Sequence, residues 1–245
     1  MKSTSFILIS MLLVFNYAVA QKSKASQVFV DIGHGQKFWN DPNNMVSEAG
    51  NDLNRVKYLT GELEKTATAF DAQINYLRDE IGSDMLTKCD LLMIHVPTAI
   101  YTKNEVNTIV DYVESGGSLL MIMEVDYWTT LEKTNVNDII GHFDIQYGQD
   151  SPDTLIGGYT KKGVITPEPL KITYQYGRTV TGGNPFCFNT QTEEYPFGVY
   201  KKLENGGKVI LMGDAMTSLY MTSWKGVKDY QCQAFMQDIF KWLLE

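Results

Sequence analysis

Val110-Asp111-Tyr112-Val113-Glu114-Ser115-Gly116-Gly117-Ser118-Leu119-Leu120-Met121-Ile122-Met123 reads as a helix tail, a glycine stop and an apolar strand in one line. Val106, Ile109, Val110 and Val113 recur at helical spacing. Gly116-Gly117 stops that helix, because glycine enters the left-handed conformation without a Cβ penalty. Residues 118–123 are then a continuous apolar run of strand length, the pattern of a strand covered on both faces. At the other end of the helix, Thr102 is the expected N-cap. Glu105, three residues on, completes a capping box.

The alternation continues in both directions. Residues 27–33 form a short β-branched and aromatic run that ends at Gly33. Residues 52–69 carry Leu53, Val56, Leu59 and Leu63 at helical spacing. Residues 73–77 and 90–95 read as the second and third strands, and residues 130–141 as a further helix before Phe143-Asp144-Ile145. Residues 208–212 form a last core strand, and a closing amphipathic helix spans about 230–244. Strands alternating with helices mean βαβ units, and so a doubly wound, mostly parallel sheet with helices on both faces. Residues 150–205 break the rhythm with Gly157-Gly158, Pro167, Pro169, Gly182-Gly183, Pro185 and Pro196. They are expected to form an antiparallel extension with long loops inside one α/β domain, residues 21–245.

The first 20 residues read differently. Lys2, an apolar stretch over residues 6–14 and Ala18-Val19-Ala20 make a cleavable export signal, with the cut after Ala20. The expected location is therefore periplasmic or secreted, with no membrane anchor after cleavage, since no later apolar run approaches the ~20 residues of a span. A net charge of −8 argues against a nucleic-acid partner, which needs a basic surface. Three cysteines, Cys89, Cys187 and Cys232, are too few and too irregularly spaced for a disulfide framework. No zinc-ligand spacing is present, so neither a metal nor another cofactor is expected.

Ligands of open α/β sheets sit beyond the carboxyl ends of the strands. That rule selects His34 with Gln36, Lys37, Trp39 and Asn40 after the first strand. It selects Arg78 after the second, His95 at the third, Glu124, Asp126 and Trp128 after the fourth, and Asp214, Thr217 and Ser218 after the last. Two of the three histidines fall at such ends, whereas His142 reads as structural. Trp39 and Trp128 are expected to stack on a sugar ring. Lys37, Arg78 and Arg178 are the cations that would meet an anionic ligand.

Val28 to His34, Asp90 to His95, the Val110–Leu120 segment and Gly207-Lys208-Val209-Ile210-Leu211-Met212-Gly213-Asp214 together resemble the class I glutamine-amidotransferase-like superfamily, in its trehalose-utilisation-type branch. A glutaminase presents a nucleophilic cysteine after the strand that here ends in Glu124-Val125-Asp126, so thiol-mediated amide hydrolysis is not expected. Size, signal peptide and polar first loop are similar to the secreted oligosaccharide dehydratases of ulvan breakdown in marine Bacteroidetes. That resemblance implies a lyase that eliminates water across C4 and C5 of a non-reducing-end glucuronate or iduronate, leaving a 4,5-unsaturated sugar. Such an enzyme must neutralise the uronate carboxylate, remove the C5 proton and protonate the departing hydroxyl. His34 and His95 are then the expected base–acid pair, with Glu124 beside them. Gln36, Lys37, Trp39, Asn40, Arg78, Trp128 and Asp214 are the expected contacts to an anionic oligosaccharide. Two other readings remain open at this stage: a non-catalytic carbohydrate-binding or scaffold domain, and a glycoside hydrolase using Glu124 with Asp126 or Asp214.

Overall fold

The structure is a computed structural model that describes residues 25–36, 38–43 and 53–245. The expected export signal and Lys37 lie outside the described residues. In chain order the first half contains β1 (Ser26–Asp31), α1 (Leu53–Thr68), β2 (Ala72–Leu77), α2 (Ser83–Leu86), β3 (Leu91–His95), α3 (Lys103–Glu114), β4 (Ser118–Ile122) and α4 (Val136–Ile140). The second half contains β5 (Gln146–Asp150), β6 (Gly158–Thr160), β7 (Lys171–Ile172), β8 (Arg178–Thr181), β9 (Asn184–Asn189), β10 (Gly198–Lys202) and β11 (Lys208–Met212). A small hairpin of β12 (Ser223–Trp224) and β13 (Val227–Lys228) precedes α5 (Cys232–Leu244).

Nine strands form one mixed sheet in the order β2-β1-β3-β4-β11-β10-β9-β6-β7. The first five are parallel to one another, and from β11 onward each neighbour runs antiparallel. The parallel half is built from apolar runs because helices cover both of its faces. Val28, Val30, Leu91, Met93, Leu120 and Ile122 point toward the layer that contains α1 and α5. Phe29, Leu92, Ile94, Leu119, Met121 and Leu211 point the other way, toward the layer that contains α3 and α4.

The capping box forms as its spacing requires. Thr102 accepts from the Glu105 backbone N–H, and Glu105 accepts from that of Thr102. Gly116 takes φ +103° at the end of α3. One expectation needs correction. The helix over residues 130–141 is broken: Leu131–Lys133 is a 3₁₀ turn, Asn135 is left-handed at φ +40°, and only Val136–Ile140 is α-helical. Residues 146–150 form a strand, but β5 pairs with β8 in a separate two-stranded sheet. The antiparallel extension forms within residues 150–205, with β6, β7, β9 and β10 continuing the main sheet. Within residues 171–176, Lys171–Ile172 is the strand β7. No helix among the described residues is long and apolar enough to cross a membrane.

Candidate functional site

The strand order turns back between β1 and β3, since β2 lies on one side of β1 and β3 on the other. His34 and His95 lie beside this switch point. The pleat sends them to opposite faces. Val30 faces the α1/α5 layer and Asp31, the next residue, faces the α3/α4 layer; Ile94 faces the α3/α4 layer and His95 the α1/α5 layer.

His34 follows Asp31. Its Nδ1 lies 3.0 Å from Asp31 Oδ2, and its Nε2 lies 3.1 Å from Glu105 Oε1. Its ring stacks on Tyr101 at 4.0 Å, and the Tyr101 hydroxyl donates to Asp31 at 2.7 Å. With a carboxylate facing each nitrogen, the site favours the protonated ring. Burial alone would lower its pKa, but the hydrogen bond and charge of Asp31, reinforced by Glu105, raise it above 6.5. Glu105 also accepts from the backbone N–H of Ile81 and Thr102. Those bonds outweigh burial and hold it below the usual carboxylate range. His34 is therefore a group whose charged form is favoured and whose two nitrogens both face carboxylates.

His95 is fully buried. Its Nε2 lies 2.6 Å from Ser218 Oγ, while the Ser218 hydroxyl donates to the Ala215 carbonyl. Nε2 is therefore the protonated nitrogen, and Nδ1 is left without a partner. Burial lowers the pKa of this neutral ring to about 3. Phe38 and Trp39 pack edge-on against it at 5.9 and 5.6 Å. The expected base–acid pair of His34 and His95 is thus corrected: one ring is locked between carboxylates on one face, and the other is sealed under aromatics on the opposite face.

A cavity of about 950 Å³ opens beyond the carboxyl end of β4, on the α1/α5 side. Its aromatic walls are Phe38, Tyr58, Tyr127, Trp128, Tyr176 and Trp224. Arg55 and Lys225 bring positive charge, and Glu124, Asp150 and Gln175 bring acid and amide groups. Glu124 reaches it by simple register. Ile122 of β4 pairs with Met212 of β11, so two residues on, Glu124 and Asp214 sit side by side. Glu124 accepts from the backbone N–H of Val125 and Ala215, and Asp214 accepts from those of Gln175 and Met216. Both carboxyls are buried. Burial raises the pKa of each, and the charge of Asp214 pushes Glu124 up further, so the pair favours retaining a proton.

The other sequence-selected residues divide. Trp128 lines the cavity. Asp214 lies behind Glu124, spent on backbone amides and fully buried. Trp39 is a core residue, 1% exposed. Gln36 is buried with its amide unpaired, away from the cavity lining. Asn40 accepts from the Asp41 N–H, and Arg78 pairs with Asp41. Arg178 is buried; its guanidinium binds the carbonyls of Glu124, Gly148 and Thr129 and the carboxylate of Asp126 at 2.6 Å, so it ties β8 to the loop after β4. Arg78 and Arg178 are therefore structural pairs, and Asp126 belongs to the second of them. Sequence reasoning missed Arg55, Tyr58, Asp150, Tyr176, Trp224 and Lys225. The visible signal for three of them was an aromatic or cation beside a glycine, in Tyr176-Gly177 and Trp224-Lys225-Gly226. Among the described residues no cluster of His, Cys, Asp and Glu is arranged to hold a metal ion.

A family model of the IFT52 GIFT domain matches residues 44–161, a little under half of the chain. No curated protein sequence matches. Among solved structures, the mmIFT52 N-terminal domain is 18% identical over 89% of this chain and 97% of that one, with a TM-score of 0.63. A β-galactosidase from Bacillus circulans is 10% identical with a TM-score of 0.54; it covers 90% of this chain, which matches only 31% of that enzyme. A putative GMP synthase component from Thermoplasma acidophilum is 10% identical over 90% of this chain and 92% of its own, with a TM-score of 0.50. At these identities the likeness is one of fold. The chain has a mixed α/β fold, with a parallel half and an antiparallel half, similar in architecture to these structures.

Proposed function

We propose that the cavity beyond β4 binds the uronate end of an oligosaccharide and eliminates water from that terminal sugar. The observation that carries this reading is Glu124, a buried carboxyl set beside Asp214 at the wall of an aromatic cavity that also holds Arg55 and Lys225, with its pKa raised by burial. Aromatic faces suit sugar rings, and the two cations suit a carboxylate that must be neutralised while charge develops at C5. The acid–base work passes from the histidines to two carboxyl groups of the same cavity. Asp150, whose side chain is 45% exposed, takes the C5 proton. The electron pair of that C–H bond forms the C4–C5 double bond, the C4–O bond breaks, and Glu124 gives its proton to the departing hydroxyl, which leaves as water. Solvent then returns the proton from Asp150 to Glu124. The export signal read at residues 1–20 would place this activity outside the cytoplasm, in a polysaccharide-degrading system.

The test is incubation with uronate-ended oligosaccharides. Loss of one water by mass and an ultraviolet chromophore from the conjugated product are expected. Glu124→Gln and Asp150→Asn should each lower the rate by about 10²- to 10⁴-fold, the usual worth of a positioned acid or base. Wild-type rates in both variants would overturn the assignment. A second reading, sugar binding without turnover, is favoured by the six aromatic walls of the cavity. It is supported if calorimetry detects binding while the products are absent.

A further inference from the structure

A second cavity of about 800 Å³ adjoins the first. Gln149, Pro152, Thr179, Pro185, Glu194 and Tyr195 contribute to its wall, and Asp150 lines both cavities. The partition between them is thus the end of β5 and the residues just after it. It is held in place on one side by the Ser151 N–H donating to the Gly177 carbonyl, and on the other by the Asp126 N–H donating to Asp150 Oδ1. The two cavities differ in charge. The first contains Arg55 and Lys225; among the described residues, the lining of the second has no lysine, arginine or histidine and carries the carboxylates of Asp150 and Glu194. What remains is a half-buried tyrosine, apolar prolines and two valines, and the hydroxyl and amide groups of threonines and Gln149. That is the chemistry for a neutral polyhydroxylated ring, in a volume within the range of small-molecule sites.

We infer that the second cavity is a subsite for the neighbouring sugar of the same oligosaccharide and that it selects an uncharged one. The inference rests on the reading that a uronate occupies the first cavity. A chain laid across the Asp150 partition puts its carboxylate beside Arg55 and Lys225 and its next ring against Tyr195. A sulfate or carboxylate on that second ring would face Glu194, with no cation in the described lining to offset it, and Asp150, whose nearest cation is the buried Arg178 at 3.7 Å behind it; like charges at such range repel.

Calorimetry on the Glu124→Gln protein tests this, using a uronate monosaccharide, a uronate-ended disaccharide with a neutral neighbour, and the same disaccharide sulfated on that neighbour. The neutral disaccharide should bind about tenfold tighter than the monosaccharide, the scale of one well-made contact. Tyr195→Ala should abolish that gain and leave monosaccharide affinity unchanged. Glu194→Gln should narrow the difference between sulfated and neutral disaccharides. A gain that survives Tyr195→Ala, or a sulfated disaccharide that binds as tightly as the neutral one, overturns the subsite and leaves the dehydration reading standing. Binding of the neutral disaccharide without any binding of the monosaccharide overturns the uronate site and leaves the subsite. If none of the three ligands binds, both fall.

Discussion

His34 and His95 are buried histidines whose pKa values are shifted in opposite directions, and their environments account for the difference. His34 sits between Asp31 and Glu105, so the folded protein favours its charged form; His95 has a serine on one nitrogen and nothing on the other, so the folded protein favours its neutral form. The consequences for stability have opposite signs. For His34, whose folded pKa is raised, stabilisation is fully present below the unfolded value near 6.5 and is lost as pH rises through the folded value. For His95, whose folded pKa is lowered to about 3, stabilisation is present above 6.5 and is lost as pH falls from there toward 3. Urea midpoints taken across pH should therefore show two slopes. His34→Gln should remove the alkaline one, and His95→Leu should flatten the acid one; unchanged profiles would contradict the two charge assignments. Removing His34 also leaves two buried carboxylates without their cation, at a cost of about 3 kcal/mol near pH 6. The strand-end rule was enough to find Glu124 and Trp128 in the sequence, because both follow directly from an apolar strand. It could not place His34, because the face its ring meets is set by Tyr101 and Glu105, which arrive from a distant helix and the loop before it.

Among the elements, α3 was the most legible in advance, since its cap, its apolar stripe and its glycine stop agree with one another. Thr102→Ala should cost about 1 kcal/mol, read as a shift in the urea midpoint, because the Glu105 N–H loses its acceptor. No shift would mean that the cap contributes nothing beyond the packing of Val106, Ile109 and Val113. The segment 130–141 was less legible because its apolar spacing is compatible with a helix, while Asn135 is held left-handed. The Asn135 side chain bonds both the N–H and the carbonyl of Tyr101, a tertiary tie that local spacing does not reveal. Where β11 ends, Gly213 lets the chain pass Arg178. A Cβ there would stand 1.9 Å from the Arg178 carbonyl oxygen. Backbone cannot yield as a side-chain tip can, and the Arg178 N–H is itself bonded to the Gly213 carbonyl. Gly213→Ala should therefore cost several kcal/mol, among the larger single-substitution effects, and should lower thermal stability accordingly; a near-neutral result would show that the strand ends can separate.

At the scale of the molecule, the parallel half was readable from alternation of strands and helices, and the antiparallel half only as a change of rhythm. The pairing of β5 with β8 joins residues about thirty apart through a ladder that already slips register, and no local pattern predicts such a partner. The sheet divides the interior into two apolar layers. The three thiols fall on both sides: Cys89 in the α3/α4 layer, Cys187 and Cys232 in the α1/α5 layer, all buried and none bonded to another. Burial raises the pKa of each, that of Cys89 to about 12, so as long as the layers stay closed these groups react slowly. The protein thus carries its own labels for breathing of its interior. With a thiol-specific reagent under native conditions, equal modification rates at the three sites would report one all-or-none opening. Faster modification of Cys89 would mean that the α3/α4 side peels away by itself, exposing one half of the molecule while the half that bears the cavity beyond β4 stays shut.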